Sequence, residues 1–258
     1  MKVCEVIEAM GKIAPWNLAA GWDNSGFLLG DKNAEVTKAY ICLDVVHKTV
    51  DDAVKQGCNL IVAHHPIIFS GVKRVTSDDL TGSLILKLAV NGINVIAAHT
   101  NFDSAETGVN YILAKAIGLT DVKKMTEDPD NPCFIGNFPK LIKGKDLAEK
   151  IKSALGIAVV RAAGLDLRRE YKTAAVCGGA GTDLWQSALT CGAEVLVSAD
   201  GKHHVGLEAE YGGIAVFDGG HFHTENLSMK YLRQYLQDIL PDLPTVLSDI
   251  DTCPWKNY

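Results

Sequence analysis

Short β-branched runs alternate with helical segments along most of this chain, and the alternation limits the folds that the chain can adopt. Such a pattern is typical of α/β units built around a largely parallel sheet. The predicted strands span residues 39–46, 60–63, 93–98, 173–177, 195–198 and 214–217. The predicted helices lie near residues 47–56, 80–90, 107–117, 145–155, 183–191 and 225–239. We therefore predict an α/β fold.

A weak internal repeat indicates two related halves. Residues 53–62 resemble residues 188–197, and the glycine-led segment 92–96 resembles 213–217. Because helix, glycine and strand follow one another in many α/β proteins, coincidental likeness is an equal alternative. A duplicated fold is the simpler account, with two similar α/β domains and a metal site between them.

The polar stretch 126–132 contains prolines and is typical of a linker. It sets the predicted boundary between the halves. We predict a first α/β domain over residues 1–125, with the C-terminal segment 221–258 packing back on it, and a second α/β domain over residues 126–220.

Charge and cysteine content narrow the function classes. The chain has 258 residues and a net charge of -6, so it lacks the basic character of a general nucleic-acid or membrane binder. A small-molecule substrate, with a nucleotide among the candidates, fits this charge better than a nucleic acid or a membrane does.

Seven scattered cysteines without C-x-x-C spacing favour a reducing compartment over a disulfide framework or a zinc ribbon. Without a signal-peptide pattern or a run of ~18 apolar residues, we expect a cytoplasmic protein.

The histidines cluster where predicted strands end. His64 and His65 directly follow the apolar run 60–63. Seven of the eight histidines lie in four segments that each follow a strand, namely 64–65, 99–103, 200–204 and 218–225. Ligands of open α/β sheets bind beyond the carboxyl ends of the strands. For the His-His-Pro sequence alone, hydrogen bonding around the turn at Pro66 is the simpler reading, but the convergence of four such segments favours a metal site.

Two carboxylates accompany these histidines. His221 and Glu225 are four residues apart, so on one helix they share a face, whereas His223 is rotated away. Asp103 follows its strand by a few residues and can turn back toward the strand end, although a solvated loop aspartate is the simpler reading of that residue alone.

The donors combine imidazoles and carboxylates without a thiolate, which suits zinc, iron(II) or manganese. The candidate ligands are His64, His65, Asp103, His221 and Glu225. Two neighbouring ions sharing five ligands need either a bridging carboxylate or open positions for water, and open positions favour catalysis. Asp200 and His204 are candidates for proton transfer, ligand support or substrate binding, and His99 is a weaker one. The roles of His203 and His223 stay open.

Glycines at 178, 179 and 181 follow a predicted strand and precede a helix. Their amides could cradle a phosphate, but tight turning explains the glycines equally well.

Several ordered motifs resemble the GTP cyclohydrolase I type 2 family, whose members are also known as interacting-factor-three-like proteins. The likeness covers nearly the whole chain and includes residues 22–26, 64–66, 99–103, 178–181, Asp200 with His204, and 219–221 with Glu225. The resemblance implies two similar α/β domains, a dinuclear metal site between them and a ring-shaped homohexamer. It further implies that one ion binds His64 and Asp103, that the other binds His65 and His221, and that Glu225 bridges both.

The leading function hypothesis is a metal-dependent hydrolase with two divalent ions per subunit. By resemblance, it would open the imidazole ring of the guanine of GTP, with His204 or Asp200 carrying the proton. A metal-dependent phosphoesterase is the alternative enzyme, because paired metal ions recur in that class. A metal-binding oligomer that acts as a regulator or scaffold is the alternative without catalysis.

Overall fold

The computed structural model describes residues 1–128 and 130–256, and the chain divides into two compact units. The first unit combines residues 1–105 with the C-terminal residues from 229 onward, and the second unit spans residues 106–228. The chain therefore leaves the first unit, forms the second, and returns to the first.

Helices and strands alternate through both units. The helices are α1 (Val3–Ile13), α2 (His47–Lys55), α3 (Leu80–Val90), α4 (Thr100–Asp103), α5 (Val109–Ala116), α6 (Gly144–Leu155), α7 (Trp185–Thr190), α8 (His203–Gly212), α9 (His221–Asn226) and α10 (Met229–Ile239). The strands are β1 (Gly26–Leu29), β2 (Ala39–Cys42), β3 (Leu60–Ala63), β4 (Asn94–Ala97), β5 (Thr120–Lys124), β6 (Phe134–Lys143), β7 (Arg161–Ala163), β8 (Glu170–Ala180), β9 (Val195–Ala199), β10 (Ala215–Asp218) and β11 (Thr245–Leu247).

The sheet of the first unit has the strand order β1-β4-β3-β2-β11. Strands β4, β3, β2 and β11 are parallel, and β1 pairs antiparallel with β4. Every residue of β2, β3 and β4 is buried, as expected for parallel strands covered on both faces. The register aligns Ala63 with both Cys42 and Ala97, so the residues that follow these three strands emerge at one edge.

The sheet of the second unit has the strand order β5-β6-β8-β9-β10-β7. Strands β8, β9 and β10 are parallel, whereas β5, β6 and β7 join antiparallel. One face packs mainly against α5 and α6, and the other packs against α7 and α8. Both sheets contain parallel and antiparallel strands. Because helices alternate with the strands of both, the prediction of an α/β fold is confirmed.

Part of the strand order is common to the two sheets. Reading from the antiparallel edge, β1-β4-β3-β2 in the first unit has the same chain order and direction as β7-β10-β9-β8 in the second. The repeats seen in the sequence fall on matching elements, since 53–62 ends in β3 and 188–197 ends in β9. The shared order is what an internal duplication predicts.

The division of the chain differs from the predicted boundaries at residues 125 and 220. Residues 106–125 belong to the second unit because α5 packs on β8 and β5 pairs with β6. Residues 221–228 belong there as well, because α9 packs on β8 and β9. Only the chain from residue 229 returns to the first unit, where α10 packs on α1 and β11 pairs with β2.

The stretch 126–132 joins β5 to β6, which are antiparallel neighbours in one sheet, so it is a hairpin connection rather than a linker between domains. Within it, Asn131 N donates to Asp128 O at 2.9 Å. Pro129, one of the prolines behind the linker prediction, lies outside the described residues.

Within residues 1–128 and 130–256, none of the seven cysteines forms a disulfide bond, and four of them are buried, namely Cys42, Cys58, Cys133 and Cys177. Across residues 1–128 and 130–256, no helix combines the length and apolar character needed to cross a bilayer.

Candidate metal centre

The first group of candidate ligands lies at the carboxyl end of β3. His64 N donates to Cys42 O at 3.2 Å and His65 N donates to Leu43 O at 3.0 Å, so the parallel ladder continues past the strand. The two imidazole ring centroids are 4.9 Å apart. The strand thus delivers two neighbouring imidazoles at the edge where ligands of α/β sheets bind.

His64 is fully buried and fixed in orientation. Its Nδ1 donates to Ala98 O at 2.8 Å, and because a carbonyl only accepts, a neutral His64 carries its lone pair on Nε2. That Nε2 lies 3.6 Å from Oδ1 of Asp103, which is buried at the end of α4. We call His64, His65 and Asp103 the first half-site.

His65 is oriented by a carboxylate. Its Nδ1 lies 2.7 Å from Oδ1 of Asp44, and Oδ2 of Asp44 accepts from the Thr252 hydroxyl. Asp44 follows β2 by two residues, so a third strand end of the first sheet supports the same group. Asp44 was not predicted as a site residue, because the predicted strand 39–46 runs past it, whereas the observed strand β2 ends at Cys42.

The second group of candidate ligands lies on α9, after β10. Nε2 of His221 is 3.2 Å from Oε2 of Glu225, so the four-residue spacing places both on one helix face. Nδ1 of His221 is 2.7 Å from Oδ2 of Asp200. Glu225 is buried. We call His221 and Glu225 the second half-site.

Two glycines make room for this carboxylate. A Cβ on Gly179 would lie 2.2 Å from Glu225 Oε1 and 3.1 Å from His221 Nε2. Gly178 N donates to Asn110 Oδ1 at 2.5 Å, and Gly179 N donates to Thr224 Oγ1 at 3.0 Å. Both amides are thus engaged within the protein, and the glycines serve the close approach of Glu225 rather than a phosphate.

His99 adds a third imidazole beside the first half-site. Its ring centroid lies 5.2 Å from that of His64 and 5.6 Å from that of His65, and the three residues form a group that could hold a metal ion. Its Nδ1 is 2.7 Å from Oδ1 of Asp23. Burial alone would raise the pKa of Asp23, but hydrogen bonds from His99, Ser25 and Thr100 hold it well below its usual value.

The remaining histidines take other positions. His203 and His204 lie exposed in the first turn of α8, and among the described residues His204 makes no hydrogen bond or ion pair. The ring of His223 packs edge-on against that of Phe222, with the ring centroids 5.4 Å apart. Asp200 lies beside the candidate ligand His221, whereas the described residues show no hydrogen bond or ion pair of His204 with the second half-site.

The candidate ligands fit a metal site. Three candidate ligands have Nδ1 hydrogen-bonded to an oxygen atom: His64 to Ala98, His65 to Asp44 and His221 to Asp200. Metal-bound histidines usually make such a contact, which fixes the ring and directs the Nε2 lone pair to the ion. Gly179 adds a cradle that a side chain would fill. The donor set contains nitrogen and oxygen atoms only.

Known proteins similar to this chain carry a consistent name. A Clostridium perfringens protein named GTP cyclohydrolase 1 type 2 homolog is 34% identical over 229 residues, covering 87% of each chain. A Streptomyces coelicolor protein of the same name is 32% identical over 270 aligned positions, covering all of this chain and 94% of its own.

Solved structures and a family model match over the same extent. The crystal structure of Staphylococcus aureus protein SA1388 superposes with a TM-score of 0.91 at 28% identity, covering 100% of this chain and 99% of its own. The structure of reduced HcgD from Methanocaldococcus jannaschii superposes with a TM-score of 0.84 at 27% identity, covering 97% of this chain and 98% of its own. The family model matches residues 1–254. The chain therefore belongs to the Duf34/NIF3 (NGG1p interacting factor 3) family and is a homolog of GTP cyclohydrolase 1 type 2.

Proposed function

We propose that this protein is a dinuclear-metal-dependent hydrolase that opens the imidazole ring of the guanine of GTP. Family membership and the names of the relatives support the reaction class. The observation that carries the proposal is the orientation of His64, His65 and His221, each held through Nδ1 by an oxygen acceptor. Preorganised imidazoles of this kind favour a metal site over a set of merely buried histidines.

The two half-sites are proposed to hold one pair of ions. The first offers three donor side chains and the second offers two, and neither set alone fills the coordination of two ions. Together they supply five donors and leave open positions for water and substrate. Following the family resemblance, His64 and Asp103 would hold one ion, His65 and His221 would hold the other, and Glu225 would be shared by both.

The chemistry divides between the ions and the chain. Bound divalent ions supply Lewis acidity, which makes hydrolysis feasible near neutral pH. Asp44 and Asp200 keep His65 and His221 oriented, and the close approach to Gly179 fixes the carboxylate of Glu225. His204, exposed on α8, is the proposed proton carrier, and Asp200 is the second candidate for that role.

Formate release from GTP tests the reaction directly. We expect purified protein to contain up to two divalent ions per chain and to release formate, and the double variant His64→Ala, His65→Ala to lose both properties. His47→Ala is the matched control, because His47 contacts Ser83 at the surface. Metal without formate, together with turnover of a phosphoester panel, would replace the cyclohydrolase with a phosphoesterase. Metal without either activity would favour a regulatory or scaffold oligomer.

Glu225→Gln tests the bridging carboxylate. The amide is nearly the same size but has lost the charge, so we expect both metals to bind more weakly and turnover to be abolished. A variant that kept two metals and full activity would overturn the bridge assignment.

The homohexamer is a proposal that rests on the family resemblance. Light scattering of the purified protein tests it, with six chains expected per particle. A monomeric or dimeric particle of full activity would overturn it.

A further inference from the structure

Two exposed aromatic side chains lie beside the first half-site. Trp22 is 57% exposed and Phe69 is 55% exposed, and their ring centroids are 5.8 Å apart. Each ring centroid is also 6.2 Å from that of His99, with the rings nearly perpendicular to the imidazole. The three rings therefore form one group, which we call the aromatic cluster.

The aromatic cluster is tied to the protein by polar contacts. Asn24 Nδ2 donates to Ile68 O at 2.5 Å, which joins the segment bearing Trp22 to the segment bearing Phe69. Asp23 accepts from Ser25 Oγ at 2.6 Å and from Thr100 Oγ1 at 2.6 Å. Because the flanking backbone is held on both sides, ligand binding does not have to order these two segments.

The aromatic cluster is continuous with the proposed ligands. His99 lies between the exposed rings and the first half-site, with its ring centroid 5.2 Å from that of His64. Its Nδ1 faces the carboxylate of Asp23, so a neutral His99 presents Nε2 as a hydrogen-bond acceptor. Among the described residues, no hydrogen bond to that Nε2 occurs. A ligand seated here would meet two apolar ring faces and one polar acceptor.

We propose that Trp22, Phe69 and His99 form a subsite for a planar nitrogen heteroaromatic ring that carries an N–H donor at its edge. The ring stacks against Trp22 and Phe69, and its N–H donates to His99 Nε2. Stacking on aromatic side chains suits any planar base, because every base has a π face. The subsite deepens the proposed function and rests on it for the identity of the ring as part of the substrate.

Ligand binding to the full-length protein as purified tests this subsite without any turnover. The probe is 7-deaza-GTP, in which carbon replaces N7, so that the C8–N7 bond that hydrolysis would cleave is absent. Inorganic triphosphate is the matched probe without a ring. Isothermal titration calorimetry should give tighter binding for 7-deaza-GTP, accompanied by quenching of tryptophan fluorescence. Equal affinity for both probes would show that the triphosphate alone anchors the ligand, and would overturn the subsite.

Single substitutions then locate the ring. Trp22→Leu and Phe69→Leu should each weaken 7-deaza-GTP binding about 5-fold to 100-fold, the range typical of a lost base stack, and Trp22→Leu should remove most of the quenching. His99→Phe keeps a ring but removes the acceptor, and should weaken binding about 2-fold to 10-fold. Trp255→Leu is the control, because Trp255 is exposed as well but has no ring contact with the aromatic cluster among the described residues. Wild-type affinity in both Trp22→Leu and Phe69→Leu would overturn the subsite.

The same variants separate failure of the subsite from failure of the hydrolase. Ring-dependent binding without formate release would leave the subsite in place and reject the reaction. Formate release with an unchanged KM in Trp22→Leu would leave the reaction in place and reject the subsite. Urea unfolding of each variant identifies any loss of binding that comes from misfolding, and Trp22→Phe, which keeps a π face, should restore most of the affinity.

Discussion

In the first unit, the residues after the third parallel strand, β4, are His99 and, four positions later, Asp103; in the second unit, β10 is followed by His221 and, four positions later, Glu225. The spacing is the same, but the contacts differ. His221 and Glu225 face each other at 3.2 Å, whereas Asp103 faces His64, from the end of β3. The equivalent end of β9 carries Asp200, which orients His221 instead. The end of β3 thus carries an imidazole, that of His64, where the end of β9 carries the carboxylate of Asp200. The partner group after the next strand is the carboxylate of Asp103 in the first unit and the imidazole of His221 in the second.

This exchange shows how one architecture can produce two different half-sites. The strand order fixes where a side chain emerges, and the residue type decides whether that side chain binds an ion or orients a neighbour. The first unit places two imidazoles on one strand end, while the second places both of its donors on a helix. A duplicated fold therefore need not carry a duplicated site.

The largest effect that we expect is on metal affinity, from a substitution at Gly179, which lies against the second half-site. Gly179→Ala would put a methyl group against Glu225 Oε1 and should lower metal affinity at least 100-fold, because the carboxylate must move. Gly156→Ala is the matched control, since Gly156 has a similar φ of 67° but no atom within 4 Å of the added Cβ. Both variants should lose about 1 kcal/mol of stability from left-handed strain. Metal titration and urea unfolding measure the two effects; equal metal affinity in the two variants would contradict the close approach of Glu225.

A smaller effect should come from the carboxylates that orient the histidines. Asp44→Asn in the first unit and Asp200→Asn in the second should each lower metal affinity about 10-fold to 100-fold. Asparagine suits position 200, because that residue has a left-handed φ of 56°. Competition with a chelator measures the affinity, and Asp51→Asn, at an exposed ion pair with Lys87, is the control. If only one of the two variants weakened binding, only that half-site would depend on its carboxylate.

The smallest expected effect is on folding stability, and its pH dependence should differ between the amino-terminal ends of β3 and β9. Glu194, just before β9, accepts from the backbone amides of Lys172 at 2.7 Å and Thr173 at 3.2 Å. Asn59, just before β3, accepts from Thr37 N at 2.9 Å. Burial alone would raise the pKa of Glu194, but the amide hydrogen bonds and Arg169 lower it below the ordinary value of 4.5.

The lowered pKa gives the contribution of Glu194 a defined pH dependence. The folding stability that Glu194 contributes is fully present above the ordinary pKa. This stability is lost as the pH falls through the lowered folded-state pKa. Glu194→Gln should therefore destabilise by about 1 kcal/mol at pH 7 and by much less in acid. Asn59→Ala should destabilise equally at both pH values, because asparagine does not titrate. Urea unfolding at the two pH values measures both variants, and a pH-independent effect of Glu194→Gln would contradict the assignment.

The sequence predicted the central strands well because they carry apolar runs. Strands β2, β3, β4, β8, β9 and β10 all overlap the predicted runs, although β8 extends three residues beyond its run at each end. The peripheral elements were missed for local reasons: β7 and β11 have three residues each, and β6 contains Pro139. Helix α8 was missed because its apolar residues occupy every second position from Val205 to Tyr211, a pattern typical of a strand. The predicted helix 225–239 is interrupted at 227–228, between α9 and α10.

For the site, chain order and spacing pointed to the candidate ligands but not to all of their supports. The face shared by His221 and Glu225 follows from helix geometry alone. The contacts of Asp44 with His65 and of Asp23 with His99 join residues 21 and 76 positions apart, and no periodicity encodes such pairs. The need for glycine at 179 likewise arises from the position of Glu225, which is set by packing.

The return of the chain to the first unit has a consequence for synthesis on the ribosome. Strand β11 forms the edge of the first sheet beside β2, yet β2 emerges early and β11 comes near the end of the chain. The second unit is continuous from residue 106 to 228 and is complete before β11 is translated. Domains usually fold in the order of their synthesis. Here the inserted unit can finish first, while the backbone edge of β2 stays unpaired until β11 is translated.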